Sequence, residues 1–152
     1  MSKVVLLDSG PLSLVTKRPG QSKEVDDCQS WLAALLINGA TIYLPEIADY
    51  ETRRELIRSG QIGGIVRLNS LAEQIDFLRL NSASMKKAAE LWAQARNLRI
   101  ATADKHALDG DVILCAQALS LGLAPAEFVI ATSNVKHLSR FVPAEEWANI
   151  QP

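Results

Sequence analysis

The chain has 152 residues, 48% of them hydrophobic and 22% charged, with a formal net charge of −1. That composition excludes global disorder and a nucleic-acid grip spread over the whole surface, while leaving room for a local basic rim around an acidic pocket. Aromatic residues make up only 5%, so aliphatic packing must fill the core of the single domain that this length predicts for residues 1–152.

Apolar runs such as Val4-Val5-Leu6-Leu7 are far too short to span a bilayer. Met1-Ser2-Lys3 leads straight into that run, without the apolar core and cleavage site of a signal peptide. Cys28 and Cys115 lie far apart, match no metal-ligand spacing and sit in apolar helical stretches, where they read as small buried hydrophobes. The cytoplasm is the expected compartment.

Residues 3–8 form a continuous apolar run closed by a polar cluster, Ser9-Gly10-Pro11, and read as a strand buried on both faces. Residues 17–22 are a turn-rich loop. From 23 to 37, Val25, Cys28, Trp31, Leu32, Leu35 and Leu36 recur at helical spacing, and Gly39 supplies the stop. Residues 41–44 are a second strand, closed by Pro45.

Helices are predicted over 47–59, ending at Gly60, and over 63–74. A strand follows at 75–80, a helix at 83–95 and a short extended piece at 98–101. Residues 111–121 predict a helix, with Asp109 placed to cap it. Residues 127–132 are one more buried strand, and 147–150 a short edge strand or tail. Strands alternating with helices imply crossover units, hence a three-layer α/β/α domain around a central, mainly parallel sheet.

Ligands of open α/β sheets bind outside the carboxyl ends of the strands. Asp8 and Ser9 follow the first strand; Glu46, Asp49 and Glu51 lie on the helix entered from the second; Thr132, Ser133 and Asn134 follow the strand at 127–132. Asp104, Asp109 and Asp111 lead into the preceding helix. Structural roles compete at several of these positions. Asp111, Glu46 and Asp49 could complement helix dipoles, and Asn134 could be a turn residue. Asp8 stands apart, because a carboxylate directly after four buried aliphatics is costly unless something pairs with it. Grouped carboxylates raise each other's pKa unless a cation holds them ionised, and oxygen ligands without a Cys or His cluster suit Mg²⁺ or Mn²⁺.

Four segments together carry a resemblance: Val4-Val5-Leu6-Leu7-Asp8-Ser9-Gly10-Pro11-Leu12, the stretch from Leu44 through Glu51 to Leu56, Leu108-Asp109-Gly110-Asp111 running on to Ala118, and the stretch from Val129 through Asn134 to Leu138. In that order they resemble the PIN-domain family of metal-dependent ribonucleases, which includes the toxins of VapBC-type toxin–antitoxin pairs. The resemblance implies hydrolysis of RNA phosphodiesters, with Asp8, Glu51 and Asp111 holding one or two Mg²⁺ or Mn²⁺ ions and Asn134 assisting. Glu46 competes for the second acidic position; Asp104 and Asp109 compete for the third. Ser9 and Thr132 would orient ligands or phosphate from behind the metal. Arg53, Arg54, Lys136, His137 and Arg140 are candidates for a basic rim that contacts RNA. A small antitoxin and a homodimer are the implied partners, with no membrane association.

A non-catalytic domain of the same fold, binding nucleic acid or serving assembly, is the competing reading; three separated carboxylates speak against it. A phosphatase using Asp8 as nucleophile would need a second Asp two residues on, where Gly10 stands. His106 reads as a loop histidine, and neither histidine sits in a hydrolase triad pattern. Trp31 and Trp92 read as core or dimer-contact residues, and Trp147 as packing the tail back onto the domain.

Overall fold

The computed structural model describes residues 3–98 and 105–152, the first three of the second stretch by backbone alone. Asp104, the side chain of His106 and nearly all of the extended piece expected at 98–101 lie outside the described residues; Leu98 itself ends a helix.

Five strands, β1 (Val4–Leu7), β2 (Thr41–Pro45), β3 (Asp76–Leu78), β4 (Phe128–Thr132) and β5 (Ala144–Glu146), form one sheet in the order β3-β2-β1-β4-β5. Every pairing is parallel, so the expected mainly parallel sheet is parallel throughout. Helices α1 (Ser9–Val15), α2 (Lys23–Ile37), α3 (Glu46–Arg58), α4 (Ile62–Gln74), α5 (Ser82–Asn97), α6 (Lys105–Leu119) and α7 (Val135–Leu138) supply the crossovers.

The pleat divides the interior in two. Val5 and Leu7 point into a core shared with Cys28, Trp31, Leu35 and Leu68 of α2 and α4. Leu6 and Ile130 point the other way, against Leu91 of α5 and Val112 and Cys115 of α6. A sheet covered on both faces explains why β1 and β4 read as continuous apolar runs instead of alternating ones. Both cysteines are free and buried, and burial pushes the Cys28 thiol up to about 12, as inert small hydrophobes require.

Several elements depart from expectation. Helix α1 was not anticipated, because Ser9-Gly10-Pro11 has turn composition; Asp8 caps it, accepting a hydrogen bond from Ser9 N at 2.7 Å, and a proline in the first turn has no hydrogen bond to lose. Helix α6 starts six residues earlier than expected, at Lys105 and not at 111, since Leu108, 1% exposed, carries the apolar face upstream. Asp109 is therefore not its cap but an exposed residue within the helix, and Asp111 lies beyond the first turn. Residues Trp147–Asn149 are a 3-10 turn; the edge strand is Ala144–Glu146. Trp147 does pack the tail back: its ring lies 5.6 Å from that of Trp31, whose Nε1 donates to Ile150 O at 2.9 Å. No helix of the described residues is long and apolar enough to cross a membrane.

Candidate active site

The sheet order reverses between β1 and β4, which places a crevice at their carboxyl ends. Asp8 follows β1 there, and Thr132 ends β4 beside it. Thr132 Oγ1 donates to Asp8 Oδ2 at 2.7 Å and accepts from Asn134 N at 2.8 Å. The hydroxyl thus ties the carboxylate to the turn that carries Asn134. Burial raises the Asp8 pKa despite the opposing hydrogen bonds from Thr132 and Ser9.

Two further carboxylates face this one. Glu51 comes from the second turn of α3; burial first, then the Asp8 charge, raises its pKa. Asp111 comes from α6, and burial together with the charges of Asp8 and Glu51 pushes it up to about 7. Asn134 Nδ2 lies 3.4 and 3.5 Å from the two Asp111 oxygens, and His137 Nδ1 3.8 Å from Oδ2. That imidazole nitrogen is buried and has no hydrogen-bond partner among the described residues.

Helix α6 approaches α3 closely at this point. A Cβ built on Gly110 would stand 2.9 Å from Glu51 Oε2, so the glycine leaves the space the glutamate occupies. Six residues on from Asp111, the fully buried Gln117 accepts from Ile47 N at 3.1 Å and donates to Leu78 O at 2.7 Å. It provides the side-chain acceptor at the start of α3 that Pro45, at the N-cap position, lacks. Neither Gly110 nor Gln117 was singled out from sequence. The signals were a glycine between two aspartates and a lone amide in an apolar helical run.

The structure brings together Asp8, Glu51, Asp111, Asn134 and Thr132, and separates their competitors. Glu46 Oε1 accepts from Leu80 N at 2.7 Å, which turns it toward the end of β3. Asp109 is exposed and lines a surface groove with Met85, Trp92 and Ile113 between α5 and α6. Ser9 borders the site through its backbone bond to Asp8. Arg53 is engaged internally, by Asp49 at 2.9 and 3.0 Å and by Asn69 at 2.8 Å. Arg54 lies over the Tyr50 ring, 4.0 Å from Glu51 Oε2, with its side chain 59% exposed. Lys136 and Arg140 are exposed, and His137 is half-buried.

Among the described residues no three acidic, histidine or cysteine side chains are placed so that, as they stand, they could hold a metal ion. The trio is an open arrangement whose fields overlap. Its chemistry nonetheless fits a hard divalent cation: oxygen donors, no thiolate, and carboxylates whose ionised forms are disfavoured by burial and, for Glu51 and Asp111, by neighbouring negative charge.

Fold and site together define an α/β domain with an acidic crevice at the switch point of a parallel sheet. The same fold occurs in a chain of the VapBC2 structure from Rickettsia felis, bound to a DNA fragment from their promoter, with TM-score 0.71, 14% identity and coverage of 95% of this chain and 98% of that one. VapBC-1 from nontypeable Haemophilus influenzae is similar at TM-score 0.63 and 18% identity, covering 96% and 99%. FitAcB from Neisseria gonorrhoeae is similar at 0.61 and 19%, again covering 96% and 99%. The PIN-like fold implied by the sequence resemblance is therefore the fold observed. No family model and no curated protein matches the sequence.

Proposed function

We propose that the chain is a divalent-metal-dependent endoribonuclease and the toxin of a toxin–antitoxin pair. The observation that carries this is the gathering of Asp8, Glu51 and Asp111 at the carboxyl end of β1, where burial first and neighbouring carboxylates second raise the Glu51 and Asp111 pKa values. One buried and two half-buried carboxylates gathered in one crevice are unfavourable as a purely structural device. Asp8, Glu51 and Asp111 would hold Mg²⁺ or Mn²⁺, which when bound supplies water activation and charge stabilisation for phosphodiester hydrolysis.

The protein's own groups have separable tasks. Thr132 and Ser9 N fix the Asp8 carboxylate in orientation. Asn134 and His137 flank Asp111. Arg54, Lys136 and Arg140 offset the repulsion between the acidic crevice and an RNA backbone. The fold shared with the VapBC chains supports an antitoxin partner at the level of fold; pairing of two copies rests on the sequence resemblance alone.

The test is cleavage of RNA by the purified protein with Mg²⁺ or Mn²⁺, with EDTA, and with Asp8→Asn. Cleavage lost in EDTA and in the variant is expected; undiminished activity in either sinks the metal mechanism. Toxicity on expression that needs Asp8, relieved by a small co-encoded protein, tests the toxin assignment separately.

A further inference from the structure

A second concavity opens directly beside Glu51. It runs between α1 and α3, has a volume of about 560 Å³ and is lined by Ser13 and Lys17 on one side and Thr52, Arg54, Leu56 and Gln61 on the other. That volume falls within the range of about 300–1,000 Å³ typical of small-molecule sites. From Glu51 to Ser59 the cleft follows α3 for about two turns, roughly 12 Å.

The wall contains an unexplained group. Thr52 is 4% exposed, yet its Oγ1 has no hydrogen-bond partner among the described residues. A helical threonine can ordinarily return its hydroxyl to the preceding turn, as Thr16 does to Leu12 O at 3.0 Å. A buried hydroxyl left unpaired is costly, so a ligand that completes it has a chemical role. The lining mixes hydroxyls and an amide with one leucine wall, two cations, Lys17 and Arg54, and two carboxylates, Glu51 and Glu55. Hydroxyls and amide suit the hydrogen-bonding edges of a ribose and base, the leucine suits a base face, and the cations suit flanking phosphates.

We propose that the α1–α3 cleft is a nucleotide subsite, seating the ribonucleotide next to the scissile phosphate, with Thr52 as a recognition residue. The proposal rests on the endoribonuclease reading and adds the place where RNA sequence is sensed.

Thr52→Val, Thr52→Ser and a cleft-filling Ser13→Phe test it. Three readouts apply: thermal stability, hydrolysis of the minimal diester bis(p-nitrophenyl) phosphate with Mn²⁺, and affinity for a short mixed-sequence single-stranded ribo-oligonucleotide, read by fluorescence anisotropy with Ca²⁺ present. Thr52→Val is expected to melt no lower than wild type, to hydrolyse the minimal diester equally well, and to bind the oligonucleotide about tenfold more weakly, equivalent to about 1.4 kcal/mol. Thr52→Ser restores the affinity, and Ser13→Phe abolishes it with diester hydrolysis intact. Unchanged oligonucleotide affinity in both Thr52→Val and Ser13→Phe overturns the subsite while leaving the nuclease standing. A wild type that hydrolyses neither substrate, but whose RNA affinity falls with Thr52→Val, overturns the nuclease reading and keeps the subsite. Lower stability of Thr52→Val without weaker binding assigns the hydroxyl to the fold and also overturns the proposal.

Discussion

Thr132 and Asp8 sit at the ends of neighbouring parallel strands and are joined by a hydrogen bond of 2.7 Å, although 124 residues separate them in sequence. The same hydroxyl receives the backbone N–H of Asn134, so one oxygen links the first acidic residue to the last turn of the site. Thr132→Val keeps the shape and removes both bonds. One Asp8 oxygen and one backbone donor are then left short of a partner in a poorly hydrated place. The expected cost is about 1–3 kcal/mol for each group left unsatisfied, read as a lower urea midpoint with an unchanged slope. Divalent-metal affinity should fall as well, since the freed carboxylate is no longer held in one orientation.

Stability of the metal-free protein should depend on pH in an unusual direction. Asp111 is raised from 3.8 to about 7, chiefly by burial and then by the charges of Asp8 and Glu51. Between those values the folded state binds more protons than the unfolded state, so stability declines as pH rises through about 7. Asp8 and Glu51, both raised, act with the same sign. Thermal melts in EDTA from about pH 5 to about pH 8 should show a falling melting temperature. Added Mn²⁺ should remove the decline, because cation binding favours the ionised carboxylates. A melting temperature that rises over that range in EDTA contradicts the coupled trio.

Gln117 connects the two helices that deliver Glu51 and Asp111. Its amide serves the first turn of α3 and the last residue of β3 at once. Gln117→Leu is close in size but leaves Ile47 N and Leu78 O without that partner. A loss of about 2–4 kcal/mol in denaturant unfolding is expected from two unsatisfied groups. A Gln117 side chain of no structural consequence would instead give a change within about 0.5 kcal/mol.

The fold was legible in the sequence where periodicity and stops coincide. Helix α2 begins and ends as read, because its six apolar positions share one face and Gly39, at φ 84°, ends the run. Helix α1 was hidden, since Ser-Gly-Pro is turn-like locally and becomes helical only once Asp8 caps it. The same limit applies to the site. Asp8 stood out because burial of β1 could be inferred from composition. Glu51 was preferred to Glu46 only through the resemblance, as both lie on α3, and only the position of β3 shows that Leu80 N occupies Glu46. Asp109 was read as a cap because the helix start was placed too late; it lies within α6. Gln117 and Gly110 act through tertiary contacts, which no local pattern encodes.

Gly110 offers the sharpest separation of fold from site. Its missing Cβ would lie 2.9 Å from Glu51 Oε2, the mobile end of a side chain and not a backbone atom. Gly110→Ala should therefore be accommodated by displacement of the Glu51 carboxylate. Within a helix, alanine is favoured over glycine by about 1 kcal/mol, so the variant should be as stable as wild type or slightly more so. Its Mn²⁺ affinity and RNA cleavage should fall at least tenfold, because the displaced carboxylate no longer meets Asp8 and Asp111. Calorimetric titration of Mn²⁺ alongside thermal melts gives both numbers on one preparation. Equal metal affinity in a stable Gly110→Ala protein would show that the site does not depend on where Glu51 stands, and the glutamate would then lose its place among the ligands.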